Sequence, residues 1–346
     1  MDKIKNALKI AGIYTGLVIG AGFASGREVI AFFTSYGSIW PVGMVFTGIL
    51  LSVLGWMILT IIEKEQIHTY KAFLKAVMGE KMSVLTEVIS GMFLCVLFFA
   101  MVAASGSLLN EAFGIERIWG SIALSVMCLF IFRGGMDKLI NINTLLSPFM
   151  VIGTAVVCLI TYFTKTETVM MMNGVTHKVP LMIFFSAVIY VSYNIISSVS
   201  IFAETGNIIR KDKNAKYGAV IGGGVMVFLG LMMGAILLID SGKTTAYDIP
   251  VLAAISGGGF VINYIYILVI LGAIITTAVG NGYGAVKWIE SDTNINSTVV
   301  EVFLCVSAVI FSFAGFAQFT DKVYPLFGFM GLAEMFCIFK YFLTDK

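Results

Sequence analysis

Ten apolar stretches, most of them twenty residues or longer, follow one another along the chain with only short polar connections between them. Their approximate bounds are 7–36, 40–62, 83–110, 118–132, 140–163, 180–206, 217–239, 258–288, 297–315 and 323–343. About twenty helical residues, rising roughly 1.5 Å each, match the roughly 30 Å hydrocarbon core of a bilayer. In lipid every backbone N–H and C=O must bond within its own segment, and the alternation of a barrel strand is missing, so the spans are predicted to be helices. Composition agrees, with 59% of residues hydrophobic and 12% charged, against roughly 45–50% and 25% in a soluble domain. The expectation is an all-α integral membrane protein of ten transmembrane helices. Its 346 residues leave almost no length for a second domain, so 1–346 reads as one domain.

The charges sort by side. With both termini in the cytoplasm, sixteen of the 22 Lys and Arg residues fall inside, and Arg27, Arg117, Lys165, Lys178, Lys243 and Lys322 fall outside, the asymmetry of the positive-inside rule. They form no aromatic-interleaved stripe, so nucleic acid is not an expected partner and the lipid bilayer is. Cys95, Cys128, Cys158, Cys305 and Cys337 each lie in an apolar run with no CxxC pair, and read as packing residues. His68 and His177 are 109 positions apart in polar connections. That spacing argues against a histidine metal site or triad, and with no HExxH or P-loop pattern an enzyme is not expected. The N-terminal MDKIKNALKIAG is basic and then apolar like a signal peptide. Its apolar run continues without a cleavage site, so it is read as a retained first span.

The first span is too long for one crossing. Thirty residues make about 45 Å of helix, and within them lies Gly20-Ala21-Gly22-Phe23-Ala24-Ser25-Gly26. Each of its three glycines costs a helix interior roughly 1 kcal/mol against alanine. Close packing of helices through small residues uses similar stretches. The charged pair Arg27-Glu28 that follows favours an interruption, because a lipid-facing helix does not carry charge at that depth. A weaker signal is Ile189-Tyr190-Val191-Ser192-Tyr193-Asn194 inside 180–206, since polar residues also bridge intact helices. Gly22 and Tyr193 are 171 residues apart, about half the chain, with five spans before the second run's helix and five beginning with it. An inverted 5+5 repeat is predicted, about 7–163 and 180–343, with helices 1 and 6 broken at the midplane. Paired broken helices point to a transporter binding site between them.

Ile19-Gly20-Ala21-Gly22-Phe23 resembles the IGxGIF segment in the first helix of the amino acid-polyamine-organocation superfamily. The run from Ala203 through Glu204 to Asp212, followed by Gly218-Ala219-Val220-Ile221-Gly222-Gly223, resembles that superfamily's passage from helix six into helix seven. The proline expected after Asn207 is absent. The whole chain, and GAGFASG above all, is similar to the bacterial YkvI-like membrane proteins. The resemblance implies the LeuT-type fold, in which a four-helix bundle containing helices one and six rocks against a scaffold and substrate sits between their unwound parts. It also implies secondary transport of an amino acid or related amine across the bacterial cell membrane. No cofactor is implied, and neither the particular substrate nor an oligomeric state is assigned.

Unwinding from Gly20 to Gly26 would free backbone N–H groups, and a half-helix starting near Gly26 would point its positive end at the gap, an arrangement that binds a carboxylate. Gly22 and Phe23 belong to this stretch, the small side chain of Ala21 permits close approach, and Ser25 offers a donor. Across the gap Asn194 offers donor and acceptor, while Tyr190 and Tyr193 offer rings and hydroxyls for an ammonium, unless they serve packing. Ala273-Ile274-Ile275-Thr276-Thr277 resembles the A-x-x-[TS]-[TS] sodium pattern of sodium-coupled relatives, which assigns the Ala273 carbonyl and the Thr276 and Thr277 hydroxyls to a coupling sodium ion. Matching Ile19-Gly20 to the family's break adds the carbonyls of Gly16 and Ile19. The other reading has the threonines bonding to their own helix. Some proton-coupled relatives place a helix-five lysine there; residues 141–162 contain no Lys or Arg. Arg27 and Glu28, with Asp321, are candidates for an external gate, and Glu204 for an inner ion pair. Glu301 and Glu334 lie in apolar spans and read either as coupling groups or as neutral, hydrogen-bonded structural acids.

The leading expectation is a sodium-coupled symporter of a small zwitterion or amine working by alternating access. The alternative is an amino-acid-sensing membrane subunit, like the germinant receptors of the same superfamily, that binds without transport. A channel has no filter ring to support it.

Overall fold

The computed structural model describes residues 2–165, 181–204, 212–239, 244–257, 259–293 and 295–344, and among them every regular element is a helix. The first apolar stretch becomes three helices, α1 (Asp2–Val18), α2 (Ala21–Ala24) and α3 (Arg27–Phe32). A 3-10 turn over Thr34–Ile39 leads into α4 (Trp40–Lys64), which carries Pro41 in its first turn, where no helix needs the missing N–H. Next comes α5 (Tyr70–Phe113), bent at Gly79 (φ 75°, ψ 173°). The bend explains why its apolar run begins only near residue 83. Thr69 caps its start by accepting from the Ala72 N–H at 3.2 Å, and left-handed Gly114 ends it. There follow α6 (Arg117–Phe132), α7 (Gly135–Lys165), α8 (Met182–Glu204), α9 (Tyr217–Leu238), the short α10 (Pro250–Ile255), α11 (Phe260–Asp292) and α12 (Ser297–Phe311). The three-residue α13 (Phe316–Gln318) continues through a π turn into α14 (Tyr324–Thr344).

Among the described residues, eight helical segments are long and apolar enough to cross a membrane, and α6 is a shorter apolar helix. Phe163, Leu181, Phe303 and Phe313 point outward, each more than two-thirds exposed, a surface suited to lipid rather than water. Inside, the helices sort into two groups. In one, α4 packs on α8 and α9, and α1 on α9; in the other, α5 packs on α6 and α11, and α12 on α5 and α6. Glycine brings backbones together within the first group: a Cβ on Gly223 of α9 would lie 2.7 Å from the Gly48 carbonyl oxygen of α4. Apolar burial gives little drive between helices in lipid, and such close approach supplies packing in its place.

Of the two predicted breaks, the first alone is present. The expected interruption at Ile189–Asn194 is corrected, because α8 runs unbroken from Met182 to Glu204. Its polar side chains serve the intact helix: Asn194 Nδ2 donates to the Tyr190 carbonyl at 2.8 Å, and Ser198 Oγ to the Asn194 carbonyl at 2.7 Å, the four-residue back-bond that a helix tolerates. Ser192 Oγ reaches across to the Gly328 carbonyl of α14 at 2.6 Å. The last span likewise begins earlier than predicted, at Phe316.

Candidate functional site

The break in the first span is narrower than the seven residues predicted. Helix α1 closes with the Ile19 N–H on the Thr15 carbonyl at 2.8 Å, Gly20 is extended (φ −74°, ψ −175°), one turn of α2 follows, and Gly26 turns left-handed (φ 84°). Two points of interruption therefore flank a single helical turn. Among the described residues, the carbonyls of Gly16 and Ile19 and the N–H groups of Gly20, Ala21 and Gly22 find no backbone partner, as at any helix end. Neighbours hold the turn in place: Tyr266 of α11 donates its hydroxyl to the Ala24 carbonyl at 2.5 Å, and the Val251 N–H of α10 donates to the Ser25 carbonyl at 3.0 Å.

Beside the break lies a cavity of about 40 Å³, room for two or three water-sized groups on the roughly 10–15 Å³ that one requires. Both helix groups line it: Gly16, Gly20, Ala21 and Gly22 from the first span, Tyr193 and Asn194 from α8, Thr276, Thr277 and Asn281 from α11, and Tyr324 from α14. Much of the predicted substrate set thus converges. Phe23 and Ser25 do not line the cavity: Phe23 is buried in the core, and the Ser25 hydroxyl donates to the Gly22 carbonyl at 2.8 Å while accepting from the Arg27 N–H. Tyr190 stands behind the wall, its ring 5.2 Å from that of Tyr193. Asn281 and Tyr324 escaped the sequence reading. Asn281 follows Thr277 by four residues and so shares its helix face, a signal that was there to use.

Glu28 requires correction. It was expected at the external gate; its side chain instead turns inward, 5% exposed, and its carboxylate rests on Gly22, where an added Cβ would collide with Oε1. The hydroxyls of Tyr190 and Tyr193 face that carboxylate, Tyr324 stands near it, and none of the three hydroxyls is in hydrogen-bonding geometry with any group. Its neighbour Arg27 points the other way and meets Asp321, the third residue of the expected gate. The guanidinium makes a two-pronged pair with Asp321 (Nε to Oδ1 3.0 Å) and donates to the carbonyls of Thr245 and Tyr247 at 3.0 and 3.1 Å. Farther along the same segment, Glu111 accepts from the N–H groups of Asp248 and Ile249 at 2.8 and 3.1 Å, and Arg117 and Ser107 hold the Asp248 carboxylate.

The predicted cation ligands are partly assembled. Thr277 Oγ1 is buried without a hydrogen-bond partner and faces the break, 3.0 Å from where a Cβ on Gly20 would stand. Thr276 lines the cavity and donates its hydroxyl proton to the Ala273 carbonyl at 3.1 Å, which leaves the lone pairs of its oxygen free to accept. A Cβ on Gly16 would lie 2.5 Å from Ser147 Oγ of α7, which places a hydroxyl beside that carbonyl's residue. Glu301 and Glu334 are not part of the cavity wall. Glu301 accepts from Ser297 and stands 3.9 Å from Arg133; Glu334 accepts from Tyr70 at 3.2 Å, which also bonds Ser90. The Glu204 side chain lies outside the described residues.

No family model matches the chain. It is 25% identical over 328 residues to the Bacillus subtilis membrane protein YkvI, covering 95% of this chain and 94% of that one. To YyaD of the same organism it is 23% identical over 331 residues, covering 96% and 95%. Among solved structures it resembles a substrate-bound, outward-open Na+-coupled sialic acid symporter (TM-score 0.65, 13% identity, 97% of this chain and 79% of that one). It also resembles the Eremococcus coleocola manganese transporter (TM-score 0.65, 12%, 96% and 78%) and Mhp1, a nucleobase-cation-symport-1 family transporter (TM-score 0.63, 12%, 91% and 74%). These neighbours are transporters rather than enzymes, and at such identities the likeness concerns the fold. Over nearly its whole length, then, the chain is YkvI-like in sequence and of the LeuT type in fold.

Proposed function

We propose that this multi-pass membrane protein is a secondary active transporter that carries a small amino acid, related zwitterion or amine by alternating access, coupled to sodium. Its ten spans are the eight long helical segments, α6, and the interrupted α1–α3, arranged as the inverted repeat 7–163 and 180–343 with both termini in the cytoplasm. The observation that carries the reading is a set of main-chain groups without a backbone partner among the described residues, the carbonyls of Gly16 and Ile19 and the N–H groups of Gly20, Ala21 and Gly22, beside the unpartnered Thr277 hydroxyl at a cavity that both helix groups line. Oxygen-only donors suit a hard cation such as sodium. A cation and a substrate that both draw the first span toward α11 each remove part of the other's ordering cost, so they bind cooperatively.

Proteoliposomes given an inward sodium gradient and a panel of labelled amino acids and alkylamines test the proposal. Accumulation that collapses with the sodium gradient supports it. Accumulation driven by an imposed pH gradient without sodium rejects sodium coupling, and binding with no accumulation under either gradient favours the sensing subunit.

A further inference from the structure

Glu28 presents an unsolved charge problem. A carboxylate taken out of water is strongly disfavoured unless a cation or a full set of donors compensates it. Among the described residues no Lys, Arg or His stands within ion-pair distance of Glu28, and the adjacent Arg27 is committed to Asp321 and two carbonyls on the outer side. The nearest donors are the hydroxyls of Tyr190 and Tyr193, with Tyr324 beyond, all three fully buried and unpaired. Aromatic rings box in the same point: Tyr193 lies 5.2 Å from Tyr190, 5.4 Å from Tyr324 and 5.6 Å from Phe32, centroid to centroid. Glu28, Tyr193 and Tyr324 also line the cavity.

We infer that the cavity is built for a small organic ammonium ion, with Glu28 as its counter-ion and the ring faces of Tyr193 and Tyr324 as its walls. The inference rests on the transporter reading and names the chemical group that the site must receive. Several features select an ammonium. The carboxylate supplies a full opposite charge, aromatic faces attract organic cations within about 6 Å, and the tyrosine hydroxyls that face the carboxylate without bonding it leave its lone pairs for the ligand's N–H groups. Polarity follows as well. With a carboxylate already resting on Gly22, a second carboxylate at that place meets like charge, so a zwitterion enters with its amine toward Glu28 and its acid toward Gly20 and Thr277. The cavity volume limits the part enclosed to about two or three heavy atoms.

The test uses purified full-length protein in potassium phosphate, with and without sodium, and follows thermal stability and calorimetric binding of ethylammonium, acetate and glycine. Wild type should bind ethylammonium and not acetate. Glu28→Gln, which mimics a permanently protonated acid at nearly the same volume, should lose ethylammonium affinity at least 100-fold while keeping its stabilisation by sodium. Tyr193→Phe keeps the ring and should lose affinity about fivefold, a second readout should Glu28→Gln fail to fold. Undiminished ethylammonium binding in Glu28→Gln overturns the inference by showing that the acid acts as a neutral group. A wild-type protein that ignores ethylammonium, or prefers acetate, overturns it too, even when proteoliposomes accumulate another substrate and the transporter reading stands. Conversely, Glu28-dependent ethylammonium binding without accumulation upholds the inference and removes transport.

Discussion

Thr277 and Gly22 show how little chemistry a site of this kind requires of single side chains. A buried hydroxyl without a partner destabilises the fold that contains it by about 1–3 kcal/mol, and the Thr277 hydroxyl is one of these orphans, set at the cavity beside the break. Replacing it with the near-isosteric valine should leave thermal stability without sodium unchanged or raised by about 1 kcal/mol, and, on the proposed sodium coupling, abolish the stabilisation by sodium expected of wild type. A Thr277→Val protein with the full sodium response removes the hydroxyl from the ion site. At Gly22 helix propensity and site geometry pull apart. Alanine would favour the turn by roughly 1 kcal/mol, yet its Cβ would occupy the position of the Glu28 carboxylate. Gly22→Ala should therefore remain folded and lose ligand affinity tenfold or more in calorimetric titration, about 1.4 kcal/mol. The glycine motif was legible in the sequence; the reason for it was not. Successive helix residues point about 100° apart, so Arg27 and Glu28, which read together as one charged patch, face different sides. Only the packing of α3 shows which of them turns inward.

Among the elements, the spans were legible because hydropathy integrates over some twenty positions, and one odd residue does not disturb it. Breaks are decided by a few hydrogen bonds, and these the sequence exposes unevenly. Glycines in the first span removed helix propensity outright, whereas Ser192, Asn194, Ser197 and Ser198 were equally compatible with unwinding and with the back-bonds and cross-bonds they make in α8. Hydrogen exchange on the solubilised protein separates these outcomes: the amides of Ile189–Asn194 should be protected, and those of Gly20–Gly22 should exchange much faster. Comparable exchange rates at the two places would restore a paired break. The second interruption point is also open to test. Gly26 sits at φ 84°, and a Cβ there would lie 2.7 Å from Val251 Cγ2 and 3.0 Å from Leu237 Cδ1. Gly26→Ala combines left-handed strain with overpacking, and should destabilise by about 2–4 kcal/mol in thermal or denaturant unfolding.

At the scale of the whole molecule, the ends of the helix groups carry distinct polar clusters. Lys216 pairs with Glu63 at 3.4 Å and Lys71 with Glu87 at 3.2 Å, among residues the charge asymmetry assigns to the cytoplasm, while Arg27, Asp321, Glu111 and Arg117 gather around 244–257 on the opposite assignment. Single cysteines at His68 and Tyr247 in a cysteine-free background should accordingly label from opposite sides, His68 from within; labelling of both from one side would overturn the span count. The segment 244–257 joins the two helix groups, because Arg27 belongs to the first span and Glu111 to α5. Both grip it by the main chain, Arg27 through two carbonyls and Glu111 through two N–H groups, ending at Ile249 just before Pro250, which has no N–H to offer. A clasp that holds peptide groups is indifferent to side-chain identity. At Tyr247 a substitution leaves the gripped carbonyl in place and the clasp keeps its strength, whereas a proline at Asp248 or Ile249 removes one gripped N–H and loosens it.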